Sequence, residues 1–386
     1  MVVGLKNRGH KVTVLTSLPN YPKGALFKDF KLQPKKYSDF NGVEVFRVPT
    51  ILRGNNKVKL VLNYLSFALS ASTIGVYKLR KYNFDIIFVF EPSPITVGLP
   101  AIMFKKIKKV PIIFWVLDLW PDTLQAIGVV KSELIIKLIG SLVSFIYNQC
   151  DLILGQSKSF LPHIKKYTKH DSIAYFPSWA ELEFSKINDE NFYKKKSKFN
   201  IVFTGNIGEA QDFPAILDAI ELLKVNPNVH WIFVGDGRLL PWVESEILTR
   251  ELSSYVTIEG QHPIEKMQDF FAQADALLLS LKDEPIFSMT IPGKLQAYLS
   301  SGKPILAMLN GEGAKIIEES GCGLTSRAGD SAALVRSVSA LIKMNAKDRK
   351  EMGLKGLKFS KDQFNRDSLI DKLELLMINQ SKSNKY

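Results

Sequence analysis

Short runs of β-branched and aromatic residues alternate along the chain with longer stretches whose apolar residues recur every three or four positions. Lys11–Thr16, Val43–Val48, Ile86–Phe90, Val110–Leu117 and Asp151–Leu154 read as strands. Between them the stretch 60–82 is helical in pattern, as is a second stretch ahead of Val110. In a third, Leu134, Ile135, Leu138, Ile139, Leu142, Val143 and Ile146 keep helical spacing, with Ser132 placed to cap it. The pattern lapses over the polar run 185–198. It then restarts with strands at Asn200–Thr204, Trp231–Val234, Val256–Ile258, Ala276–Ser280 and Pro304–Met308. Apolar strands separated by helices predict parallel sheets covered on both faces. The expected fold is therefore α/β, with two doubly wound Rossmann-like domains in tandem. The first spans 1–182, a polar junction 183–198 and the second 199–365; a C-terminal helix, 366–386, could cross back to the first domain. In such sheets ligands bind beyond the carboxyl ends of the strands, and two facing domains form a cleft there.

Composition narrows the picture. The chain has 386 residues, 46% hydrophobic and 23% charged, which suits about two globular domains. Two cysteines cannot build a disulfide framework, and the five histidines never pair with a Cys or a second His at ligand spacing. A reducing compartment and no metal site follow. The net charge of +13 is unevenly placed. Residues 1–180 hold 25 Lys+Arg against 10 Asp+Glu, or +15, and the remainder holds 26 against 28, or −2. An anionic partner of the first domain, a membrane leaflet or nucleic acid, fits this asymmetry; so does a merely solvated basic surface. The Lys and Arg residues lack interleaved aromatics or a recognition helix, which counts against nucleic acid.

The start of the chain lacks the pattern of a secretory signal. The longest uncharged run, Leu60–Tyr77, contains Asn63, Thr73, Gly75 and serines, and Lys57, Lys59, Lys78, Arg80 and Lys81 flank it. It reads as a buried or interfacial helix with basic ends rather than a span. With the cluster Lys105, Lys106, Lys108 and Lys109, these residues favour peripheral attachment to an anionic membrane surface.

Several strand ends carry candidate chemistry. Strand Asn200–Thr204 runs into Gly205-Asn206-Ile207-Gly208 ahead of a helix starting near Phe213, a turn whose N–H groups can approach a phosphate. Gly235-Asp236 and Gly260-Gln261 follow the next two strands; an ordinary structural turn explains such loops as readily. In Pro292-Gly293-Lys294, Pro292 stands at a first helical position and Lys294 just inside a helix that ends at Gly302, which suits a diphosphate. An exposed helix lysine is the alternative. In the first half, Asp118-Leu119-Trp120-Pro121 follows a strand and offers an acid or base, or simply a turn acid. Glu91 ends the neighbouring strand and is expected on the same rim.

Taken in order, Gly9-His10-Lys11-Val12-Thr13-Val14-Leu15-Thr16, Asp118-Leu119-Trp120-Pro121, Gly205-Asn206-Ile207-Gly208, Gly235-Asp236-Gly237 and Pro292-Gly293-Lys294…Gly302-Lys303-Pro304 resemble the family 4 glycosyltransferases of the GT-B fold. The Asn20-Tyr21-Pro22…Gly24 loop and Tyr175-Phe176-Pro177-Ser178-Trp179-Ala180-Glu181 are similar to the bacterial O-antigen, capsule and exopolysaccharide branch, including N-acetyl-L-fucosamine transferases. The resemblance implies retaining transfer of a sugar, an N-acetylated amino sugar, from a UDP-sugar bound chiefly by the second domain. It implies no metal or other cofactor. The acceptor, a polyprenyl-diphosphate-linked saccharide at the cytoplasmic leaflet, would be held by the first domain, with Asn20, Tyr21 and Trp120 on the acceptor side. Gly205, Asn206, Ile207, Gly208, Gln211, Gly235, Asp236, Gly260, Gln261, Pro292, Gly293 and Lys294 would bind the donor, and Asp118 and Glu91 would be the catalytic carboxylates.

Three departures stand out. The family's Arg after the first loop glycine and its Lys five positions later are here Asn206 and Gln211. Its two glutamates eight apart fall at Met289 and Ala297, leaving Glu284 or Glu312 to reach the sugar or ribose from nearby loops. A first domain of this type opens with a strand, a glycine turn and a helix, and Met1–Arg8 resembles only the end of that helix. The expectation is a first domain lacking its first strand. A nucleotide-sugar 2-epimerase shares the fold and is the alternative enzyme, although it needs no basic acceptor domain; a non-catalytic sugar-binding protein is the third reading.

Overall fold

The structure, a computed structural model, describes residues 1–20, 24–54, 57–126, 128–179 and 198–383. It divides into two compact units. The first comprises Met1–Gln156, Phe160–Phe176 and the chain from Asp367 onward; the second comprises Ser157–Ser159 and Pro177–Arg366. The expected junction 183–198 lies outside the described residues apart from Lys198.

The first unit carries β1 (Thr13–Ser17), β2 (Asp39–Phe40), β3 (Val43–Val48), β4 (Ile87–Glu91), β5 (Ile112–Val116), β6 (Leu152–Gly155) and β7 (Ile173–Tyr175). They form two sheets, a three-stranded one in the order β1-β3-β2 and a four-stranded one in the order β4-β5-β6-β7. Every pairing is parallel except β2 with β3. The helical stretch expected over 60–82 is a helix Lys57–Ser70, a π turn Ala71–Gly75 and a short helix Val76–Leu79. Ser132 stands at the N-cap of helix Glu133–Tyr147, yet its hydroxyl makes no capping bond, a correction to the sequence reading. The last helix, Arg366–Ser383, packs in this unit. Arg8 Nη2 and Nε donate to Asp371 Oδ1 at 2.5 and 2.7 Å, and His10 lies 2.6 Å from Glu374.

The second unit holds one six-stranded parallel sheet, ordered β10-β9-β8-β11-β12-β13. The strands are β8 (Phe199–Thr204), β9 (Val229–Val234), β10 (Val256–Gly260), β11 (Ala276–Ser280), β12 (Ile305–Met308) and β13 (Gly323–Ser326). Its core joins Phe203, Phe213 and Phe233 in edge-to-face contacts, with ring centroids 5.1–6.1 Å apart. β11 and β12 are wholly buried, as expected for strands covered on both faces.

Candidate active site

In the second unit the turn after β8 meets the start of helix Gly293–Ser300, and the turn after β9 packs on the turn after β8. Tyr298 ties that helix to β8, because its buried hydroxyl accepts the Thr204 N–H at 2.9 Å. Pro292 is the N-cap and Gly293 the first helical residue, which corrects the placement of Pro292 inside the helix. Beside Gly205 lies Lys294. A Cβ on Gly205 would stand 2.8 Å from Lys294 Cε, and the Gly205 φ of +115° also favours glycine. The Lys294 ammonium sits 3.7 Å from the Phe203 ring centroid, buried and without a hydrogen-bond partner, although part of its stem is accessible. Burial draws its pKa down to about 7. At the end of β11 the buried Ser280 hydroxyl is also unpartnered. A cation held over an aromatic face without a counter-ion, at the first turn of a helix, is a site prepared for an anion.

The glycine loops contribute differently from the sequence expectation. The N–H groups of Gly205 and Ile207 donate to Val234 O and Asp236 O at 2.8 and 2.9 Å, and that of Gly208 to Gln211 Oε1 at 3.2 Å. Asn206 Nδ2 also points at Gln211 Oε1, at 3.4 Å. These amides lock the loop to its neighbour rather than waiting for phosphate, a correction that follows from how closely β8 and β9 end. At Gly235, φ +148°, a Cβ would fall 1.8 Å from Gly205 O, so only glycine lets the two turns touch. Asp236 Oδ1 accepts the Gly237 N–H at 2.7 Å, and Gly260 O accepts that of Gly235 at 2.7 Å; Gln261 follows Gly260 just past β10. Glu284 caps helix Pro285–Met289 with its backbone. Glu312 Oε1 accepts from Ser159 Oγ at 2.6 Å, so its carboxylate is engaged within this unit.

In the first unit Asp118 follows β5. Its carboxylate accepts Thr123 Oγ1–H at 2.5 Å and the Trp120 indole N–H at 3.2 Å. Burial raises its pKa against these donors. Glu91 ends β4 opposite Val116 but is fully buried, and neither carboxylate oxygen finds a partner. The rim position expected for it is therefore corrected: Glu91 points into the core, and burial first, then the Asp118 charge, pushes its pKa well above the usual range. Burial thus favours its protonated form. The buried Tyr147 hydroxyl belongs to the same group and is likewise unpartnered. Asn20 is buried, with its amide on Leu18 O at 2.8 Å and its oxygen taking the Arg53 N–H at 3.4 Å, so it shapes its own loop rather than facing outward. Trp120 is buried against Asp118 and Tyr64. Tyr21 lies outside the described residues. Sequence reasoning missed Phe203, Tyr298, Ser280 and Thr123; of these only Thr123, five residues past Asp118, carried a local signal.

Parallel doubly wound units of this kind define the GT-B fold, and solved structures share it over nearly the whole chain. Sucrose-phosphate synthase from Thermosynechococcus elongatus superposes with a TM-score of 0.77 at 14% identity, covering 98% of this chain and 91% of that one. WaaG, a glycosyltransferase involved in lipopolysaccharide biosynthesis, gives 0.69 at 14%, covering 97% and 93%. Anabaena Alr3699/HepE, solved in complex with UDP and glucose, gives 0.69 at 12%, covering 95% and 99%. Residues 198–344, which hold the Lys294 site, match the family model of Glycosyl transferases group 1. Among curated proteins, the probable glycosyltransferase WbjE of Pseudomonas aeruginosa is 30% identical over 245 residues, 60% of each chain. The putative colanic acid biosynthesis glycosyl transferase WcaI of Escherichia coli K12 is 23% identical over 251 residues, 61% of this chain and 60% of that one. The chain thus spans about 60% of the length of the curated relatives it matches.

Proposed function

We propose that the protein is a glycosyltransferase that moves a sugar from a UDP-sugar, with retention, to a lipid-linked or saccharide acceptor in bacterial surface-polysaccharide assembly. The transferred sugar is an N-acetylated amino sugar, and the enzyme works at the cytoplasmic face of the cell membrane. One observation carries this reading: the buried, unpaired Lys294 ammonium at a helix start, inside the segment that matches group 1 glycosyl transferases.

Breaking the sugar–diphosphate bond leaves negative charge on the departing diphosphate, and a preorganised cation in a water-poor site stabilises it more than water does. A pKa near 7 in the free protein means that the anion and the proton arrive together, since the diphosphate restores the charge that burial disfavours. Asn206 and Gln211 hydrogen-bond each other, so Lys294 carries most of the phosphate charge with the helix dipole. Asp118, made more basic by burial, takes the proton of the acceptor hydroxyl. Incubation with a panel of UDP-sugars, with and without a polyprenyl-diphosphate acceptor, tests the reading. Transfer only in the presence of acceptor is expected. Epimer formation without acceptor would indicate a 2-epimerase, and UDP-sugar binding without turnover a sugar-binding protein.

A further inference from the structure

Asp118 stands on a turn, and the segment after the turn helps to hold it. Leu119, Trp120 and Pro121 are buried and anchor the turn itself. The five-residue helix they open, Asp122–Ala126, has no buried residue among the described ones. Yet this helix supplies Thr123, whose hydroxyl donates to Asp118 Oδ1 at 2.5 Å. A helix this short is not stable by itself and needs a tertiary tie to keep its side chains in place.

Such a tie stands on its first residue. Asp122 Oδ2 lies 2.9 Å from His163 Nε2. Burial alone would raise the Asp122 pKa, but the His163 hydrogen bond and charge bring it below the ordinary value. The carboxylate is therefore ionised at neutral pH and can only accept, so the imidazole Nε2–H is the donor. His163 is buried on helix Phe160–Lys165, where Phe160 and Ile164 are wholly buried as well. That helix is seated on the end of β6: a Cβ on Gly155 would come within 2.9 Å of Leu161 and 3.3 Å of Ile164. The Tyr167 ring lies beside the imidazole, with centroids 5.8 Å apart. A donor fixed in the core thus reaches a helix that has no core residue of its own. A buried histidine is most simply a core side chain with its hydrogen bond satisfied; what sets His163 apart is where that bond lands, on the neighbour of Thr123.

We propose that His163 is a positioning residue for Asp118: through Asp122 it fixes helix Asp122–Ala126, and through Thr123 that helix fixes the carboxylate. The link acts on aim and basicity together. Burial raises the Asp118 pKa, and the hydrogen bonds from Thr123, Trp120 and Ser93 oppose it. A Thr123 hydroxyl that drifts away leaves burial less opposed, and Asp118 then keeps its proton to higher pH. Glu91 and Tyr147 act on the same carboxylate, and Lys166 and Tyr167 on Asp122; none of them lies on helix Asp122–Ala126. The kinetic consequence rests on the reading of Asp118 as the base of sugar transfer, whereas the link from His163 to Asp118 does not.

The test therefore has two readouts. Carboxyl carbon NMR of the full chain follows the titration of Asp118, assigned by its loss in Asp118→Asn, and steady-state kinetics of UDP-sugar transfer gives kcat. His163→Ala should raise the Asp118 pKa and lower kcat about 10–100-fold with KM for the UDP-sugar nearly unchanged, the cost of a displaced base rather than of a lost substrate contact. Asp122→Ala, which breaks the same bond from a partly exposed position and carries the test if His163→Ala does not fold, should do the same. So should Thr123→Val. His163→Gln, whose amide can still donate to Asp122, should restore most of both. In an Asp118→Asn background His163→Ala should cost nothing further, because the group it serves is gone. An Asp118 titration unmoved in His163→Ala and Asp122→Ala, or a kcat loss as large in Asp118→Asn as in the parent, would overturn the proposal and leave His163 a core side chain. Parental kcat in Asp118→Asn alone would instead overturn the reading of Asp118 as the base, and the titration would still decide the link.

Discussion

The two units solve the same architectural problem with different completeness. In the second, one sheet runs unbroken through six strands, and its inner strands bury nearly every side chain. In the first, among the described residues, β1 pairs only with β3 and β4 only with β5; no residue of β1 is fully buried, and Phe90 of β4 is half exposed. Parallel strands are ordinarily covered on both faces, and an unpaired edge leaves its N–H and C=O groups to water. The second unit turns its apolar residues inward and holds the Lys294 ammonium buried without a hydrogen-bond partner. The first leaves many of them exposed on its outer helices, and the first 180 residues carry the chain's net positive surplus. One fold thus presents two different things: an edge that holds an ammonium out of water, and outer helices that leave apolar side chains exposed.

Substitutions can break or sharpen that contrast. The largest effect is expected at Asp118: Asp118→Asn should lower kcat by about 10²–10⁴-fold, with UDP affinity nearly unchanged, as steady-state kinetics and calorimetry would show. Gly235→Ala should cost about 3 kcal/mol or more, because its Cβ meets the Gly205 carbonyl, whereas Gly9→Ala in the first unit, φ +90° with open space around it, should cost about 1 kcal/mol. Denaturant melts would rank them; equal losses would contradict the tight packing of the β8 and β9 turns. Hydrogen exchange should find the β1 and β4 amides less protected than those of β8 and β9. Glu91→Gln should have the smallest effect on rate, within a few-fold, because Glu91 is wholly buried in the core and burial favours its protonated form. It should show in stability against pH. The folded pKa of Glu91 is raised, so its contribution is fully present below about pH 4.3, the unfolded value, and is lost as pH rises toward the folded value. The Gln variant should therefore gain on the parent as pH increases.

Much of the fold was legible because the long strands are apolar runs between periodic helices. β2, β7 and β13 were not; Asp39–Phe40, Ile173–Tyr175 and Gly323–Ser326 are too short or too polar to stand out. Lys294 could be placed at a helix start from Pro292-Gly293-Lys294 alone. Its lack of a counter-ion could not, because Phe203, which lies beneath it, comes from a strand distant in sequence. Glu91 shows the limit of alternation: Phe90 faces outward and Glu91 inward, the reverse of what hydrophobicity dictates. The glycine loops were legible as turns, but whether their amides face a ligand or each other depends on how closely β8 and β9 end.

The central claim is that Lys294 waits, largely deprotonated above neutral pH, for a diphosphate. Calorimetry of UDP binding in buffers of different ionisation enthalpy measures it directly. At about pH 8 a group with pKa about 7 has mostly lost its proton, and the anion should return it, so uptake approaching one proton per UDP is expected. Uptake should fade toward pH 6, and affinity should fall as pH rises from 7. Lys294→Gln should abolish the uptake and weaken binding. UDP that binds without proton uptake at pH 8, or as tightly to the Gln variant as to the parent, would contradict the account.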